Sequence, residues 1–229
     1  MNGEMPSEPL LIPVGDAALL LELGTRLELS LARRAQAIAD TLEAEVAGGG
    51  LPGLGAVVPA YASVLVHFDP DRVDLAALAA RLMDLSTLPP APYRHSTTHH
   101  FDLDASPAAA PDLEAAQTAC GLGRAALLQA LADVELEVAF LGFAPGFAYL
   151  LGLPSVLALP RRATPRLHVA RGSVATAGGQ LAIFPCDMPS GWHVLGRVSE
   201  PQAAALFDPT AASPCLLRPG DRVRLHVSP

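Results

Sequence analysis

Four arginines, Arg161, Arg162, Arg166 and Arg171, fall within eleven residues of a chain whose formal net charge is -8. A guanidinium is a planar fork of donors that grips a carboxylate or phosphate through two parallel hydrogen bonds. The cluster therefore has two readings: it lines an anion-binding cleft, or it is a solvated turn whose arginines pair with nearby acids. Pro160 and Pro165 limit backbone freedom around the forks, and Thr164 adds a hydroxyl. Just upstream, "GFAPGFAY" brings Phe143, Pro145, Gly146, Phe147 and Tyr149 together. Its glycines permit close backbone approach and its rings can wall a pocket. Downstream, "GSVATAGGQ" carries Ser173, Gly178 and Gln180. The Gln180 amide can orient a substrate carbonyl or bond a strand edge. The single tryptophan, Trp192, stands beside His193 and reads by default as buried and structural.

Other chemistries find less support. There is no G-x-S-x-G elbow, and neither Ser173 nor Ser190 has a recognisable triad partner. Cys186 follows an expected strand without a motif and reads as a buried, inert thiol. His99 and His100 are adjacent, so on a strand they point to opposite faces and cannot share an ion. With His95 they form the one candidate surface cluster, and no metal site is expected. Asp187, His168 and His193 are acid–base candidates near the arginines, with nothing to choose among them. "GGGLPGLG" (Gly48 to Gly55) has closely spaced glycines but lacks the strand–turn–helix setting of a nucleotide loop.

These residues need elements to hold them. Residues 10–23 read as two short apolar strands around a turn at Gly15-Asp16. A helix fits Leu27, Leu31, Ile38, Leu42 and Val46, whose spacings lay them on one face. Val57-Val58 and "SVLVHF" read as strands, and a second helix carries Leu75, Leu78, Leu82 and Leu85. The Pro-rich "LPPAPY" (Leu88 to Tyr93) is the expected linker between a domain at 1–90 and another at 91–229. Beyond it, two short helices follow, the first started by Pro111-Asp112. "VELEVAF" alternates Val134, Leu136, Val138 and Phe140 against Glu135 and Glu137, a half-buried strand. Short strands separated by Gly and Pro then describe a barrel or sandwich.

Composition narrows the function classes. With 51% hydrophobic and 17% charged residues, the chain can bury a sizeable core. Its acidity and lack of a basic stretch argue against nucleic acid as partner. No apolar run is long enough to be a membrane span, and the N-terminus lacks the basic-then-apolar order of a secretory leader. Three widely spaced cysteines, Cys120, Cys186 and Cys215, suit free thiols in a reducing compartment, so a soluble cytoplasmic protein is expected. All 15 basic residues are arginine, which excludes a lysine Schiff base, a P-loop lysine and a biotinylated lysine on this chain.

The ordered series "FLGFAPGFAYL", "PRRATPR", "GSV", "AGGQ", "FP", "GW", "LFDP" and "LLRPGDRV" resembles the KipI / allophanate hydrolase subunit 1 family, which includes the B component of the bacterial 5-oxoprolinase complex. The likeness covers Pro111 to Val227 strongly and "YASVLVHFDP" more loosely. It implies an α+β protein: a small N-terminal α/β domain followed by a cyclophilin-like closed β-barrel. It also implies a partner, a second cyclophilin-like subunit of the biotin-dependent carboxyltransferase (allophanate hydrolase subunit 2-like) type, with a third subunit in the 5-oxoprolinase complex. ATP is then used by the complex, with a partner subunit as one place for it, and no covalent cofactor is carried on this chain. The implied activity is ATP-dependent opening of the 5-oxoproline lactam to glutamate. The same family offers a non-catalytic inhibitor of a histidine kinase and a carboxyltransferase-type subunit of urea degradation as alternatives. Phosphorylating the lactam oxygen would make ring opening feasible, and arginines would stabilise the charge that develops. On this reading Arg162, Arg166 and Gln180 are catalytic. Phe143, Pro145, Gly146, Phe147, Arg161, Thr164, Ser173, Gly178 and Trp192 bind substrate. The chain departs from the family pattern at Leu131, where a histidine is usual, at Leu181 (threonine), at Phe184 (tyrosine) and at Ser190 (glycine). "HHFDLDASPAAA" replaces a Tyr-Gly-Gly turn.

Overall fold

The computed structural model describes residues 8–90, 93 and 96–227, and the chain divides into two compact units, Met1–Tyr93 and Arg94–Pro229. The expected linker lies partly outside the described residues, as does His95.

The first unit contains β1 (Leu10–Pro13), β2 (Ala18–Glu22), α1 (Leu29–Ala47), β3 (Leu54–Pro59), β4 (Ser63–Phe68) and α2 (Leu75–Ser86). Its four strands form an antiparallel sheet in the order β1-β2-β4-β3. Alternation in β2 and β4 turns Leu19, Leu21, Val64 and Val66 to one face, where Ile38 and Leu42 of α1 and Leu78 and Leu82 of α2 cover them. The buried stripe of α1 differs from the expected one. Leu27 and Val46 are exposed, and Ala32, Ala35 and Ala39 join Ile38 and Leu42 inside. Leu27 precedes the first turn, and small alanines let a helix backbone sit close to a sheet. The Asp74 side chain caps α2 by accepting from the Ala77 N–H at 3.1 Å.

The second unit contains β5 (Thr98–Asp104), α3 (Leu113–Cys120), α4 (Arg124–Asp133), β6 (Leu136–Leu141), β7 (Ala148–Leu151), a 3-10 turn at Ser155–Leu157, β8 (Arg166–Val169), β9 (Ser173–Ala177), β10 (Gln180–Ile183), β11 (Met188–Ser190), β12 (His193–Val198), α5 (Glu200–Ala205) and β13 (Arg222–Val227). Seven strands close into a barrel in the order β10-β7-β6-β13-β5-β12-β9, so the α+β class and the closed barrel are as expected. Among the described strands only β5 and β13 pair in parallel, and β8 and β11 form a separate two-stranded ribbon. Inward-facing Leu150, Val174, Leu181, Leu195 and Leu225 fill the barrel, and Leu127 and Leu131 of α4 join the same core. Each fully buried leucine contributes about 1.5–3 kcal/mol relative to exposure.

The β6 strand corrects one expectation. Glu137 is not solvated on the open face of a half-buried strand; its side chain is 1% exposed. Register places Arg222 of β13 directly opposite, with an Nη2–carboxylate separation of 3.1 Å. A carboxylate is tolerated at that depth because a cation from the neighbouring strand pairs with it.

Candidate functional site on the outer barrel face

The strands β7, β9, β10 and β12 are adjacent in the barrel, and residues alternate between its two faces. Leucines, valine and isoleucine go inward; Phe147, Tyr149, Ala175, Ala177, Ala182 and Val194 go outward. Phe184 and Trp192, at the ends of these strands, and Met188 of the ribbon complete a second apolar cluster outside the barrel. Phe147 is its hub. Its ring meets Tyr149 at 4.9 Å, Phe184 at 5.4 Å, Phe143 at 5.6 Å and Trp192 at 6.0 Å, all at angles between 66° and 79°. Edge-to-face contacts of this kind bring the positive edge of one ring to the negative face of another.

Two consecutive turns deliver Phe143 to the rim. The Ala144 N–H donates to the Gly142 carbonyl at 2.9 Å, closing a three-residue turn around Phe143, whose φ is 71°. That is a strained region for a residue with a Cβ. The Phe147 N–H then donates to the Ala144 carbonyl at 3.0 Å. Pro145 fits the second position of that turn, and Gly146, with φ of 77°, the third. A side chain on Gly146 would also stand 2.7 Å from Phe207 Cβ. Phe143 thus remains 71% exposed, with one edge on the cluster.

Between these rings lies a cavity of about 270 Å³. Phe143, Phe147, Tyr149, Trp192 and Ser190 line it, and Arg161 supplies the only cationic side chain. Arg161 is exposed and has no carboxylate within ion-pairing distance among the described residues. Burial pushes the Tyr149 phenol above its ordinary value, and the nearby Arg161 charge opposes that rise.

Arg162 and Arg166 have a different environment. Both guanidinium groups close on Asp112, whose side chain is only 3% exposed. Arg166 is bidentate, through Nη1 to Oδ2 at 2.5 Å and Nη2 to Oδ1 at 2.8 Å, and Arg162 Nη1 donates to Oδ1. The Val194 N–H donates to Asp112 Oδ2 at 2.8 Å, while the Asp112 N–H donates to the Val194 carbonyl at 3.1 Å. Burial alone would raise the Asp112 pKa; Arg166, the Val194 N–H and Arg162 together hold it below the usual carboxylate range. Asp112 stands at the N-cap of α3, as the sequence suggests, yet its side chain does not cap that helix. It ties the arginine segment to β12, and the Arg162 N–H donating to the Gly191 carbonyl at 2.7 Å adds a backbone tie.

The structure therefore separates the sequence candidates. Phe143, Phe147, Arg161 and Trp192 share the cavity; Pro145 and Gly146 shape the turn that presents Phe143. Arg162 and Arg166 hold Asp112. Gln180 and Gly178 belong to the β9–β10 hairpin, where Gly178 and Gly179 both have positive φ and the Gln180 carbonyl accepts from the Thr176 hydroxyl at 2.7 Å. Ser173 is buried at the start of β9 and Thr164 is exposed; neither these nor Gln180 lines the cavity. His168 bonds Asp187 at 3.0 Å on the exposed ribbon, and His193 Nε2 donates to the Pro160 carbonyl at 3.0 Å. Cys186 is exposed, not buried, because it stands in the turn between β10 and β11 rather than on a strand. Leu131, Leu181 and Phe184 are all 1% exposed or less, so at those positions this chain has apolar packing. Asp112 is the residue to which motifs assign no role, since in the sequence it is only a helix start; Tyr149, read there as one of the rings able to wall a pocket, does line the cavity.

Residues 9–217 match the family model described as carboxyltransferase domain, subdomains C and D. The chain is 34% identical over 212 residues to a protein of Escherichia coli O157:H7 named as the B component of 5-oxoprolinase, covering 92% of each. Among solved structures, TTHA0988 superposes with a TM-score of 0.75 at 32% identity, covering 93% of this chain and 40% of that protein. The chain thus spans well under half of the solved protein it matches. Kluyveromyces lactis urea amidolyase gives a TM-score of 0.74 at 18% identity over the whole of this chain and 15% of its own, a likeness of fold.

Proposed function

The chain belongs to the family of carboxyltransferase domain subdomains C and D, and to its members resembling the B component of 5-oxoprolinase, and from that premise we propose that it is that component of a 5-oxoprolinase. The complex opens the lactam of 5-oxo-L-proline with ATP and water to give L-glutamate and requires partner subunits. The observation that carries this reading is the match to the Escherichia coli protein over 92% of both chains. The partner is a second cyclophilin-like subunit of the carboxyltransferase type, joined by a third subunit.

The outer-face cavity is the substrate site. Its volume of about 270 Å³ lies at the small end for ligand pockets and suits a five-membered ring with one carboxylate. The ring lies against Phe147 and Trp192, and Arg161 takes the carboxylate as a two-pronged donor. Tyr149 lines the same cavity, and this reading assigns its hydroxyl as the donor to the lactam carbonyl. Arg162 and Arg166 act on the reaction through position: their link to Asp112 fixes the backbone on which Arg161 stands. A cavity of about 270 Å³ is small for a nucleoside triphosphate, so on this reading ATP is held outside it, with a partner subunit as one place for it.

The test is ATP-dependent glutamate formation from 5-oxoproline by the assembled complex, with this chain present or omitted. Activity that vanishes on omission supports the assignment; activity unchanged by omission overturns it. Within the active complex, Arg161→Ala should raise the KM for 5-oxoproline at least tenfold, while an unchanged KM removes the cavity from the reading.

A further inference from the structure

On the outer face of the barrel's one parallel strand pair, His100 Nδ1 of β5 and His226 Nε2 of β13 stand 2.7 Å apart, brought together across 126 residues of sequence. The ring planes are inclined by only 9° and the ring centres are 4.9 Å apart. Rings lying face to face at that separation could not bring two nitrogens so close. The imidazoles are therefore nearly coplanar and edge to edge, with both nitrogens close to the line joining their centres. Both side chains are exposed. Two ring nitrogens that share one hydrogen in this way are two lone-pair donors whose strands already hold them within reach of a single centre.

We propose that His100 and His226 form a two-nitrogen site for a divalent first-row transition ion. Among the described residues no third histidine, cysteine or carboxylate is close enough to complete a protein-only cage, so water fills the remaining positions. An ion with tetragonal or octahedral geometry suits this pair best. Two nitrogens at right angles around such a centre are about 2.9 Å apart, against about 3.3 Å at a tetrahedral zinc with bonds of about 2.0–2.1 Å. Binding needs each ring to pivot until its lone pair points at the ion, a turn that exposed side chains can make. The hydrogen now shared moves through solvent to the other nitrogen of its ring, so neutral imidazoles bind without a net change of protons.

The surroundings favour a cation. Asp102 lies directly opposite His226 in the strand register, two residues along the same face from His100. Arg224, opposite His100, is engaged by the Glu135 carboxylate at 3.0 and 2.7 Å, which offsets its charge. Gln202 of α5 bonds the His100 carbonyl at 3.3 Å and leaves both imidazoles open to solvent.

Calorimetric titration of the full chain with Ni(II) tests the proposal. One equivalent should bind in the micromolar range, and His100→Ala and His226→Ala should each weaken binding at least tenfold. His168→Ala, which removes an exposed imidazole on the β8–β11 ribbon, should leave the affinity unchanged. Circular dichroism confirms that each variant is folded, and His226→Gln offers a second way to remove the nitrogen if the alanine variant is not. Absence of saturable binding overturns the site, as does an affinity that survives both histidine substitutions.

Discussion

Arg161 and Arg166 are five positions apart on either side of Pro165, yet they end in opposite electrostatic situations. At Asp112 two guanidinium groups and a backbone N–H converge on one buried carboxylate and orient one another, leaving one net positive charge, so that region holds the fold together. At the cavity rim Arg161 faces aromatic rings, with no acid beside it among the described residues. A charge that is already paired costs stability when removed, and one left open at a cavity is available to a ligand. The same residue type thus divides into a fastening and a binding group, and substitution should separate the two.

The largest effect is expected at Asp112. Asp112→Ala leaves two guanidinium groups and the Val194 N–H without their acceptor, and breaking such a buried pair costs about 3–5 kcal/mol. Urea unfolding measures this; a loss below about 1 kcal/mol would mean that the clamp contributes little. Arg166→Ala, which removes both prongs of the bidentate contact, should cost about 2 kcal/mol and more than Arg162→Ala, because charge-assisted hydrogen bonds contribute about 1.5–3 kcal/mol each and Arg162 still holds the carboxylate. The reverse order would assign the main contact to Arg162.

The clamp should also show in acid. Its carboxylate has a folded-state pKa below the ordinary 3.8. Its stabilisation is therefore complete above that value and is lost as pH falls through the lower, folded pKa. Asp112→Asn should remove this part of the acid limb in a series of unfolding curves from about pH 5 to about pH 2; an unchanged limb would place the acid sensitivity elsewhere. The rim should behave otherwise. Arg161→Ala is expected to shift stability by no more than about 0.5 kcal/mol, as for an exposed residue with no ion pair among the described residues, despite its effect on KM. A loss as large as that of Arg166→Ala would erase the distinction between the two regions. Smallest of all, Phe143→Gly relieves the positive φ and gives up one ring edge. These offset, leaving stability within about 0.5 kcal/mol in the same unfolding assay.

Much of this architecture is legible in the chain itself. Period-two alternation reveals the strands of both units, and spacing by threes and fours reveals α1 and α2. The Gly-Pro-Gly stretch marks the turns that present Phe143, and "GFAPGFAY" does supply the cavity walls. The departures have a common cause. The expected stripe of α1 counts large apolar residues and passes over the alanines that touch the sheet. Glu137 is expected outward because strand alternation cannot reveal a cation on the next strand. Cys186 is expected inside because the direction of a turn is not encoded in the strand before it.

The sequence by itself determined which side chains were available: aromatic rings and arginines in one segment, no lysine, and glycines where turns need positive φ. Those are properties of residue type and local spacing, which a linear string carries in full. Only the tertiary structure decided which arginine was paired. Asp112 lies 50 residues before Arg162 and 54 before Arg166, and nothing local distinguishes it from any other helix-starting aspartate. Closure of the barrel brings α3 and β12 together, and that contact determines which charges are buried and paired and which remains open at the rim.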